Sequence, residues 1–347
     1  MSAARHPTKR STSRRKPAGL RLLSLFSGAG GLDIGFEKAG FRTVWANEFD
    51  KAIAPSYQRH FPRTAFDGRS IVDIPDDDLP GDITGVIGGP PCQSWSEAGA
   101  RRGIEDHRGQ LFFEYLRVIR KTQPKFFVAE NVHGLIHSRN RKSFQQIISL
   151  FEEEGYAVSW KLLKASDYGV PQDRERVFIV GYHMSLGKVF EFPPPLANKV
   201  TLRDAIGDLA DPSSMAALAV NNHEYIDCGY SSVFMSRNRV RSWDEQSFTI
   251  LATARHIPFH PQAPKMVKVA NDLFDFAPGR KKDYRRLTVR ECARIQTFPD
   301  DYEFVYKQIG TGYKMIGNAV PVNLAYAVAR KIKGDLKAGG NANARER

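Results

Sequence analysis

Short apolar runs alternate with amphipathic stretches along residues 21–182. The apolar runs, each predicted to be a strand, are residues 22–26, 43–46, 83–87, 126–129, 157–163 and 177–181. The amphipathic stretches, each predicted to be a helix, are residues 31–39, 51–60, 110–121 and 141–154. Such alternation is typical of a doubly wound, mostly parallel α/β sheet with helices on both faces. The ligand site of such a fold lies at the carboxyl ends of its strands.

The pattern changes after about residue 184. Proline clusters appear and the periodicity fades until about residue 285, which predicts a separate, irregular module. Helices are predicted again at residues 288–295 and 321–333, and we expect the last helix to pack back on the first domain. The chain is therefore divided into the following segments: a basic disordered tail (1–19), the first domain (20–183), the irregular module (184–285), a return segment (286–335) and a second tail (336–347).

Charge and cysteine content restrict the functional class. The formal net charge is +13, and seven Lys or Arg lie within the first 21 residues. A basic body favours a polyanionic partner, whereas the tail either adds phosphate affinity or only aids solubility. The three cysteines have no metal-ligand spacing, and an odd count argues against a disulfide framework. We predict no metal, no membrane span and no signal peptide, and a reducing, cytoplasmic location.

A rigid turn presents a cysteine at the end of one predicted strand. The run at residues 83–87 is followed by two glycines, two prolines and then Cys92. A cysteine at a strand end of an α/β protein is placed like a catalytic nucleophile. A free cysteine is also commonly a small buried hydrophobic residue, so this stretch alone leaves both interpretations open.

A glycine-rich turn follows the first predicted strand. Starting from Gly28, the sixth position of a dinucleotide-binding Gly-x-Gly-x-x-Gly loop is Asp33, so that motif fails. The second strand ends near Glu48, which is placed to bind ribose hydroxyls, and Phe49 could stack on a purine. Together these features favour a nucleoside cofactor, although a merely tight turn remains an alternative.

A carboxylate lies at the end of one predicted strand, and two arginines lead into another. Glu130 ends the strand that begins at residue 126 and would face the same crevice as Cys92. Arg174 and Arg176 alternate on an extended segment, so both could point towards one ligand. The alternatives are a helix-cap or salt-bridge role for Glu130 and a surface charge ladder for the arginines.

The order of these motifs resembles that of the DNA cytosine-5 methyltransferases, over roughly residues 20–335. The matching blocks are Phe26-Ser27-Gly28-Ala29-Gly30-Gly31, Pro90-Pro91-Cys92-Gln93, Glu130-Asn131-Val132, Gln172-x-Arg174-x-Arg176, Arg286-Leu287-Thr288-Val289-Arg290-Glu291-Cys292-Ala293-Arg294 and Gly317-Asn318-Ala319-Val320-Pro321. The chain is most similar to short bacterial modification methylases, including those that act on GGCC. The resemblance implies a Rossmann-like methyltransferase domain with a smaller target-recognition domain.

The resemblance implies a reaction on a cytosine flipped out of duplex DNA, with S-adenosylmethionine as methyl donor. Cys92 would be the nucleophile that adds to carbon 6. Glu130 would engage ring nitrogen 3 and the amino group. Arg176 would contact the base carbonyl oxygen, and Arg174 would support the site. Cys228 and Cys292 would be structural.

The resemblance also implies a cofactor site. The residues it assigns there are Phe26, Gly28, Gly30, Gly31, Leu32, Glu48, Phe49, Pro90 and Asn318. Glu48 would bind the ribose, Phe49 would lie against the adenine, and Pro90 and Asn318 would flank the methionine part. The family's usual Gly-Asp-Ile near the third strand is absent here, so Asp67, Asp73 or neither contacts the adenine amino group.

DNA contacts are expected from two segments. Residues 94–108 resemble the family's mobile loop, and the phosphate or base contacts assigned to this part of the chain are Gln93, Ser96 and Arg108. The region between Gly181 and Tyr284, which corresponds to the family's variable region, would read bases through Arg237, Arg239, Arg241, Arg255 and His256, because Arg to guanine is the commonest specific contact. Phosphate contacts by the same side chains are the alternative. A GC-rich, GGCC-like target is the hypothesis.

The implied role is that of a host-protecting modification methylase, acting as a monomer on double-stranded DNA. A cognate restriction endonuclease would act on the same site without a stable complex. The alternatives are a tRNA cytosine-5 methyltransferase, a catalytically silent DNA-binding protein and a nicotinamide oxidoreductase, the last disfavoured by the glycine spacing. Two His pairs spaced four apart, His133 with His137 and His256 with His260, lack further ligands for a metal.

Overall fold

The computed structural model describes residues 19–91 and 107–342. A seven-stranded sheet forms its centre. The strands are β1 (Arg21–Leu25), β2 (Arg42–Asn47), β3 (Ala65–Asp67), β4 (Gly85–Gly88), β5 (Phe126–Val132), β6 (Tyr156–Lys164) and β7 (Glu175–His183). Their order across the sheet is β3-β2-β1-β4-β5-β7-β6, and β7 runs antiparallel to both of its neighbours. The predicted α/β class with a mostly parallel sheet is confirmed.

Helices cover both faces of this sheet, and helices and short strands follow it. The helices are α1 (Gly31–Lys38), α2 (Ala54–His60), α3 (His107–Thr122), α4 (Arg141–Glu153), α5 (Leu202–Ile206), α6 (Val289–Ile295), α7 (Ile309–Asn318) and α8 (Val322–Ala342). A hairpin joins β8 (Val267–Ala270) to β9 (Leu273–Asp275), and the two-residue strands Gln172–Asp173 and Ser247–Phe248 pair in parallel. No helix among the described residues is long and apolar enough to cross a bilayer.

The strands carry apolar side chains on both faces, and helices therefore cover the sheet on both sides. Leu23 and Phe127 face a core built with α3 and α4, whereas Leu22 and Phe126 face a core built with α1 and α8. Two strand glycines make room for these aromatic rings. A Cβ on Gly85 would lie 2.2 Å from the Phe126 ring, for example. Glycine is therefore required at this point for close packing between strands.

The return of the chain to the sheet is visible in α8. This helix packs along α1, and Leu324 and Val328 lie in the same core as Phe36. A Cβ on Gly35 of α1 would lie 2.4 Å from the Ala325 side chain, so the two helices approach closely. The contact is the one expected of a discontinuous domain, although the predicted boundaries at 183/184 and 285/286 stay predictions.

Residues 230–284 contain a separate aromatic core. Its rings, which meet mostly edge to face, belong to Tyr230, Phe234, Phe259, Phe276 and Tyr284. Few regular strands run through this part of the chain, in agreement with the irregular pattern expected from its sequence. We refer to residues 230–284 as the aromatic region.

Candidate active site

A cavity of about 460 Å³ opens at the carboxyl ends of β1, β2, β4 and β5. This is the edge at which the fold predicts a ligand site. Most of the residues predicted to bind the cofactor line it: Phe26, Gly28, Gly31, Leu32, Glu48, Pro90 and Asn318. Gly30 and Phe49 are outside the lining. Phe49 is nevertheless 65 % exposed beside Glu48, whereas a Cβ on Gly30 would lie 2.5 Å from the Phe61 ring.

The turn between β1 and α1 has an unusual backbone. Phe26 has a φ of 53° and Gly28 a φ of 53°. A positive φ is rare for a residue with a side chain and costs conformational energy. The Ser27 amide donates to the Asn47 carbonyl oxygen at 3.1 Å, which fastens the turn to the end of β2. The strain is thus held in place at the wall of the cavity.

Glu48 is held as an acceptor at the end of β2. One carboxylate oxygen accepts from the Gly28 amide at 2.9 Å and the other from the Asp50 amide at 2.8 Å. Burial raises the pKa of Glu48, and these two amides oppose that shift. A carboxylate offers about four lone-pair positions, so acceptor capacity remains for a ligand hydroxyl.

The wall of the first cavity offers polar and aromatic groups to a ligand. The Ser27 hydroxyl oxygen is buried in its wall and has no hydrogen-bond partner among the described residues. Buried polar atoms are rarely left unpaired, so this hydroxyl indicates a polar ligand. Exposed Phe49 offers an aromatic face next to Glu48. The carboxylate of Glu48, the Ser27 hydroxyl and the aromatic face of Phe49 are groups that S-adenosylmethionine would need.

A buried ion pair lies at the end of β5. Arg176 Nε is 2.9 Å from Glu130 Oε1, and both side chains are largely buried. Burial raises the pKa of Glu130, and the charges of Arg176 and Arg174 oppose that shift. Glu130 therefore holds a proton more readily than an exposed glutamate while it keeps a cationic neighbour.

This ion pair lies between two cavities. Glu130 lines the first cavity, and Arg176 lines a second cavity of about 460 Å³. The other residues of the second cavity are polar: His133, Lys164, Asp173, Glu175 and Thr249. His133 Nδ1 is 3.0 Å from Glu175, and Lys164 Nζ is 3.0 Å from Asp173. The sequence position of His133, three residues after Glu130, could have indicated that it lies near the candidate site.

Arg174 has a different environment from Arg176, although only one residue separates them. Its guanidinium is fully buried and donates to the carbonyl oxygens of Ile250, Gly317 and Ala319 at 3.1, 2.9 and 3.1 Å. Burial lowers its pKa to about 9. Arg174 thus ties the residue before β7 to the segment around residue 250 and to the end of α7.

The comparisons with known proteins agree with this geometry. The family model for C-5 cytosine-specific DNA methylases matches residues 20–334. The chain belongs to this family. It is 50 % identical over 329 residues to the Type II methyltransferase M.NgoPII of Neisseria gonorrhoeae, and the match covers 92 % of this chain and 96 % of that protein. It is 52 % identical over 324 residues to the Type II methyltransferase M.MthTI of Methanothermobacter thermautotrophicus, with coverage of 91 % and 98 %.

The solved structure of the Entamoeba histolytica methyltransferase EhMeth has the same fold. The TM-score is 0.70 at 17 % identity, and the match covers 92 % of this chain and 99 % of that one. At this identity the likeness concerns the fold alone. The family match, by contrast, makes this chain a DNA cytosine-5 methyltransferase.

The predicted nucleophile of this methylase lies outside the described residues. The same applies to Gln93 and Ser96, and the side chain of Arg108 is not among those described. The described residues that precede Cys92 nevertheless lie at the first cavity. Gly88 of β4 pairs with Ala129 of β5, and the Asn131 side chain donates to the Pro90 carbonyl oxygen at 2.7 Å. Pro91 therefore lines the same cavity as Glu130.

The other two cysteines have different surroundings. Cys292 is fully buried on α6, and burial raises the pKa of its thiol. Cys228 is partly exposed, and its carbonyl oxygen accepts from Arg286 at 2.9 Å. Neither cysteine lines the two cavities described above, so the expectation that both are structural is retained.

The arginines predicted to read DNA divide into two groups. Arg237 and Arg255 are exposed. Arg239 is 8 % exposed and donates to the carbonyl oxygens of Val233 and Phe234, each at 2.7 Å. Arg241 pairs with Asp173 at 3.0 Å and Glu245 at 3.2 Å. The contacts of Arg239 and Arg241 favour structural roles, so their predicted DNA contacts stay predictions without support.

Neither of the two acidic residues considered for the adenine amino group, Asp67 and Asp73, lies in the wall of the first cavity. Asp67 binds Arg69 through both carboxylate oxygens and also accepts from the Arg69 amide. Asp73 is exposed. Neither is among the described residues that line the first cavity. Within the described part of the chain there is also no cluster of three or more His, Cys, Asp or Glu side chains that could hold a metal.

Proposed function

We propose that this methylase transfers a methyl group from S-adenosylmethionine to carbon 5 of a cytosine turned out of duplex DNA. The position of the Glu130–Arg176 pair carries the proposal, because it lies between two cavities of similar size. The first cavity has the lining expected for the cofactor. The second, lined by polar and charged groups, would take the target base and its flanking phosphate.

The cofactor would be held by side chains at the ends of β1 and β2. Glu48 accepts from the ribose hydroxyls, and Phe26 and Phe49 lie on either side of the adenine. Gly28, Gly30, Gly31 and Leu32 form the adjoining turn, while the Ser27 hydroxyl, Pro90 and Asn318 are beside the methionine part. When bound, S-adenosylmethionine supplies a methyl group activated by the positive sulfur.

Cys92 would act as the nucleophile, since the turn before it is fastened next to Glu130. Its thiolate would add to carbon 6 of the cytosine, which makes carbon 5 electron-rich. Carbon 5 would then take the methyl group, and S-adenosylhomocysteine would be the leaving group. Glu130 holds ring nitrogen 3 and the amino group, and Arg176 holds the carbonyl oxygen. Loss of the carbon 5 proton then restores the ring and breaks the bond between carbon 6 and the sulfur.

The proposed DNA site is GC-rich and resembles GGCC. Exposed Arg237 and Arg255, together with His256, are the candidates for base contacts, and Gln93, Ser96 and Arg108 are candidates from the segment after Cys92. The relatives named Type II methyltransferases support a modification role. Accordingly, the enzyme would act as a monomer and protect host DNA from an endonuclease of the same specificity.

The proposal is tested by transfer of a tritiated methyl group to duplexes with and without GGCC, and to tRNA as a third substrate. A duplex with 5-fluorocytosine at the target position tests the chemistry, because a fluorine at carbon 5 cannot leave as a proton and the protein stays attached. We expect transfer to the GGCC duplex and a covalent complex with the fluorinated one. Cys92→Ala loses both, and Cys228→Ala is the matched control that keeps both.

Each alternative predicts a different pattern. Transfer to tRNA but not to DNA would reject the DNA substrate, and transfer to a duplex without GGCC would reject the site. A covalent complex formed by Cys92→Ala would reject that residue as the nucleophile. Cofactor binding with no transfer to any substrate would favour a catalytically silent DNA-binding protein.

A further inference from the structure

Two segments far apart in the chain meet at the wall of the first cavity. Lys314 Nζ on α7 is 2.7 Å from Asp50 Oδ2, which follows the end of β2. Both residues line the cavity. Lys314 also lies one helical turn before Asn318, on the same face of α7. The ion pair thus joins the return segment directly to the turn that carries Glu48.

Asp50 connects this ion pair to Glu48. Its backbone amide donates to Glu48 Oε1 at 2.8 Å, and its second carboxylate oxygen accepts from the Ala52 amide at 2.9 Å. Burial acts in the opposite direction, but the hydrogen bonds from Lys314 and Ala52 lower the pKa of Asp50. Asp50 therefore stays ionised, and Lys314, Asp50 and Glu48 form one continuous series of contacts.

The charges around the cavity give the pair a second effect. Among its described lining residues, Lys314 is the single Lys or Arg, alongside the acidic Asp33, Glu48, Asp50 and Glu130. Because Lys314 is paired with Asp50, it adds no net charge beside the positive sulfur of S-adenosylmethionine. The side chain of Lys314 is 49 % exposed and that of Asp50 28 %, so their attraction adds little to stability. Its effect should be on the ligand.

We propose that Lys314 is a positioning residue for the cofactor, acting through Asp50 on the carboxylate of Glu48. This inference rests on the proposed use of S-adenosylmethionine. Loss of the ammonium group frees the turn at residues 48–50 and leaves an unpaired carboxylate there, so the ribose acceptor is no longer fixed. Cofactor affinity falls, whereas the groups around the cytosine are unchanged.

The test compares Lys314→Met and Lys314→Arg with the wild type. Calorimetric titration gives the Kd of S-adenosylmethionine and S-adenosylhomocysteine, and methyl transfer gives KM and kcat. We expect Lys314→Met to raise both Kd values and KM about two- to fivefold, the effect of one partly exposed ion pair, while kcat changes less than twofold. Lys314→Arg keeps Kd within about 1.5-fold of the wild type because it keeps the charge.

Two further arms separate positioning from a general structural effect. Lys121 pairs with Asp77 at 3.4 Å on the surface, and Lys121→Met should leave Kd unchanged. In a double-mutant cycle, Asp50→Asn with Lys314→Met should weaken binding no more than the worse single variant, because both remove the same interaction. High salt should weaken binding of S-adenosylhomocysteine, which lacks the positive sulfur, more in the wild type than in Lys314→Met.

Several results would overturn the inference. They are a folded Lys314→Met with wild-type Kd, an equal loss in Lys314→Arg, and additive effects in the double variant. If the wild type binds neither S-adenosylmethionine nor S-adenosylhomocysteine, the proposed function itself fails. Wild-type binding with an unaffected Lys314→Met removes only the role given to Lys314.

Discussion

The sheet and the aromatic region use their charged side chains in different ways. At the sheet edge, Glu48 directly follows β2, Glu130 lies near the carboxyl end of β5, and both line a cavity. In the aromatic region, Arg239 binds two backbone carbonyls and lies 4.8 Å from the centre of the Phe234 ring. Arg286, next to that region, similarly binds the Cys228 and Gly229 carbonyls and lies 4.6 Å from the Tyr230 ring.

The difference follows from backbone hydrogen bonding. Strands of a sheet satisfy one another's amides and carbonyls, so polar side chains at their ends are available for ligands. A region with few strands leaves buried carbonyls that need donors, and guanidinium groups supply them. A count of arginines therefore does not give the number of arginines that are available for DNA in the aromatic region, whereas position along a strand locates the cavity-lining groups of the sheet.

The largest expected effect is on catalysis at the sheet edge. Glu130→Gln keeps the shape of the side chain but removes its charge, so it cannot balance Arg176 or hold a proton for the base. We expect kcat to fall about a hundred- to ten-thousand-fold, with cofactor Kd changed less than threefold. Glu303→Gln, at an exposed ion pair with Arg59, is the control. A kcat within threefold of wild type would remove Glu130 from the mechanism.

The next effect concerns the connection between the two regions. Arg174→Ala leaves the carbonyls of Ile250, Gly317 and Ala319 without their donor. We expect the free energy of unfolding to fall by about 3–5 kcal/mol, measured by urea denaturation. Arg174→Lys should recover less than half of this loss, since one ammonium cannot reach three carbonyls with the same geometry. A loss below about 1 kcal/mol would show that this connection is not needed for stability.

A pH effect is expected from Asp33 beneath the first cavity. Asp33 is fully buried and accepts from Ser24, Thr43 and Tyr57. Burial raises its pKa from 3.8 to about 6, against the effect of these hydrogen bonds. The folded state thus keeps the proton to higher pH than the unfolded state, so this contribution to stability is present below pH 4 and is lost as pH rises through 6.

The pH dependence of Asp33→Asn tests this assignment. The rise in the pKa of Asp33 from 3.8 to about 6 corresponds to about 3 kcal/mol between pH 4 and pH 7. The variant should lose less stability than wild type over that range, as measured by urea denaturation at each pH. Parallel profiles for the two proteins would mean that Asp33 does not titrate in this window. Thr122→Ala, at a hydroxyl bonded within α3, should keep the wild-type profile.

How far sequence alone determines the structure also differs between the regions. All six predicted strands of the sheet are found, because long apolar runs leave few alternatives. The short β3 (Ala65–Asp67) was not predicted, and neither was α7, whose Gly310, Gly312 and Gly317 hide its helical pattern. The cavity residue Lys314 lies on α7, so a pairing across 264 residues with Asp50 could not be predicted from local pattern.

The arginines of the aromatic region show a second limit of sequence reasoning. Arg237 and Arg239 belong to the same basic, polar stretch, and nothing in their spacing separates a DNA contact from a structural one. Tertiary packing makes the difference: Arg239 is buried against the Phe234 ring, whereas Arg237 is exposed. Burial of the Arg239 side chain also lowers its pKa to about 10.

The smallest expected effects are those of substituting Arg237 and Arg239, and these effects distinguish a DNA contact from a structural role. Arg239→Ala should lower the free energy of unfolding by about 1–3 kcal/mol, because two buried carbonyls lose their donor, and should leave the salt dependence of DNA binding unchanged. Arg237→Ala should change stability by less than about 0.5 kcal/mol but reduce the slope of log K against log salt by about one. Fluorescence anisotropy with a GGCC duplex over a range of salt, together with urea denaturation, measures both. The opposite result, a salt effect in Arg239→Ala and a stability effect in Arg237→Ala, would mean that exposure does not identify the DNA-facing side of the aromatic region.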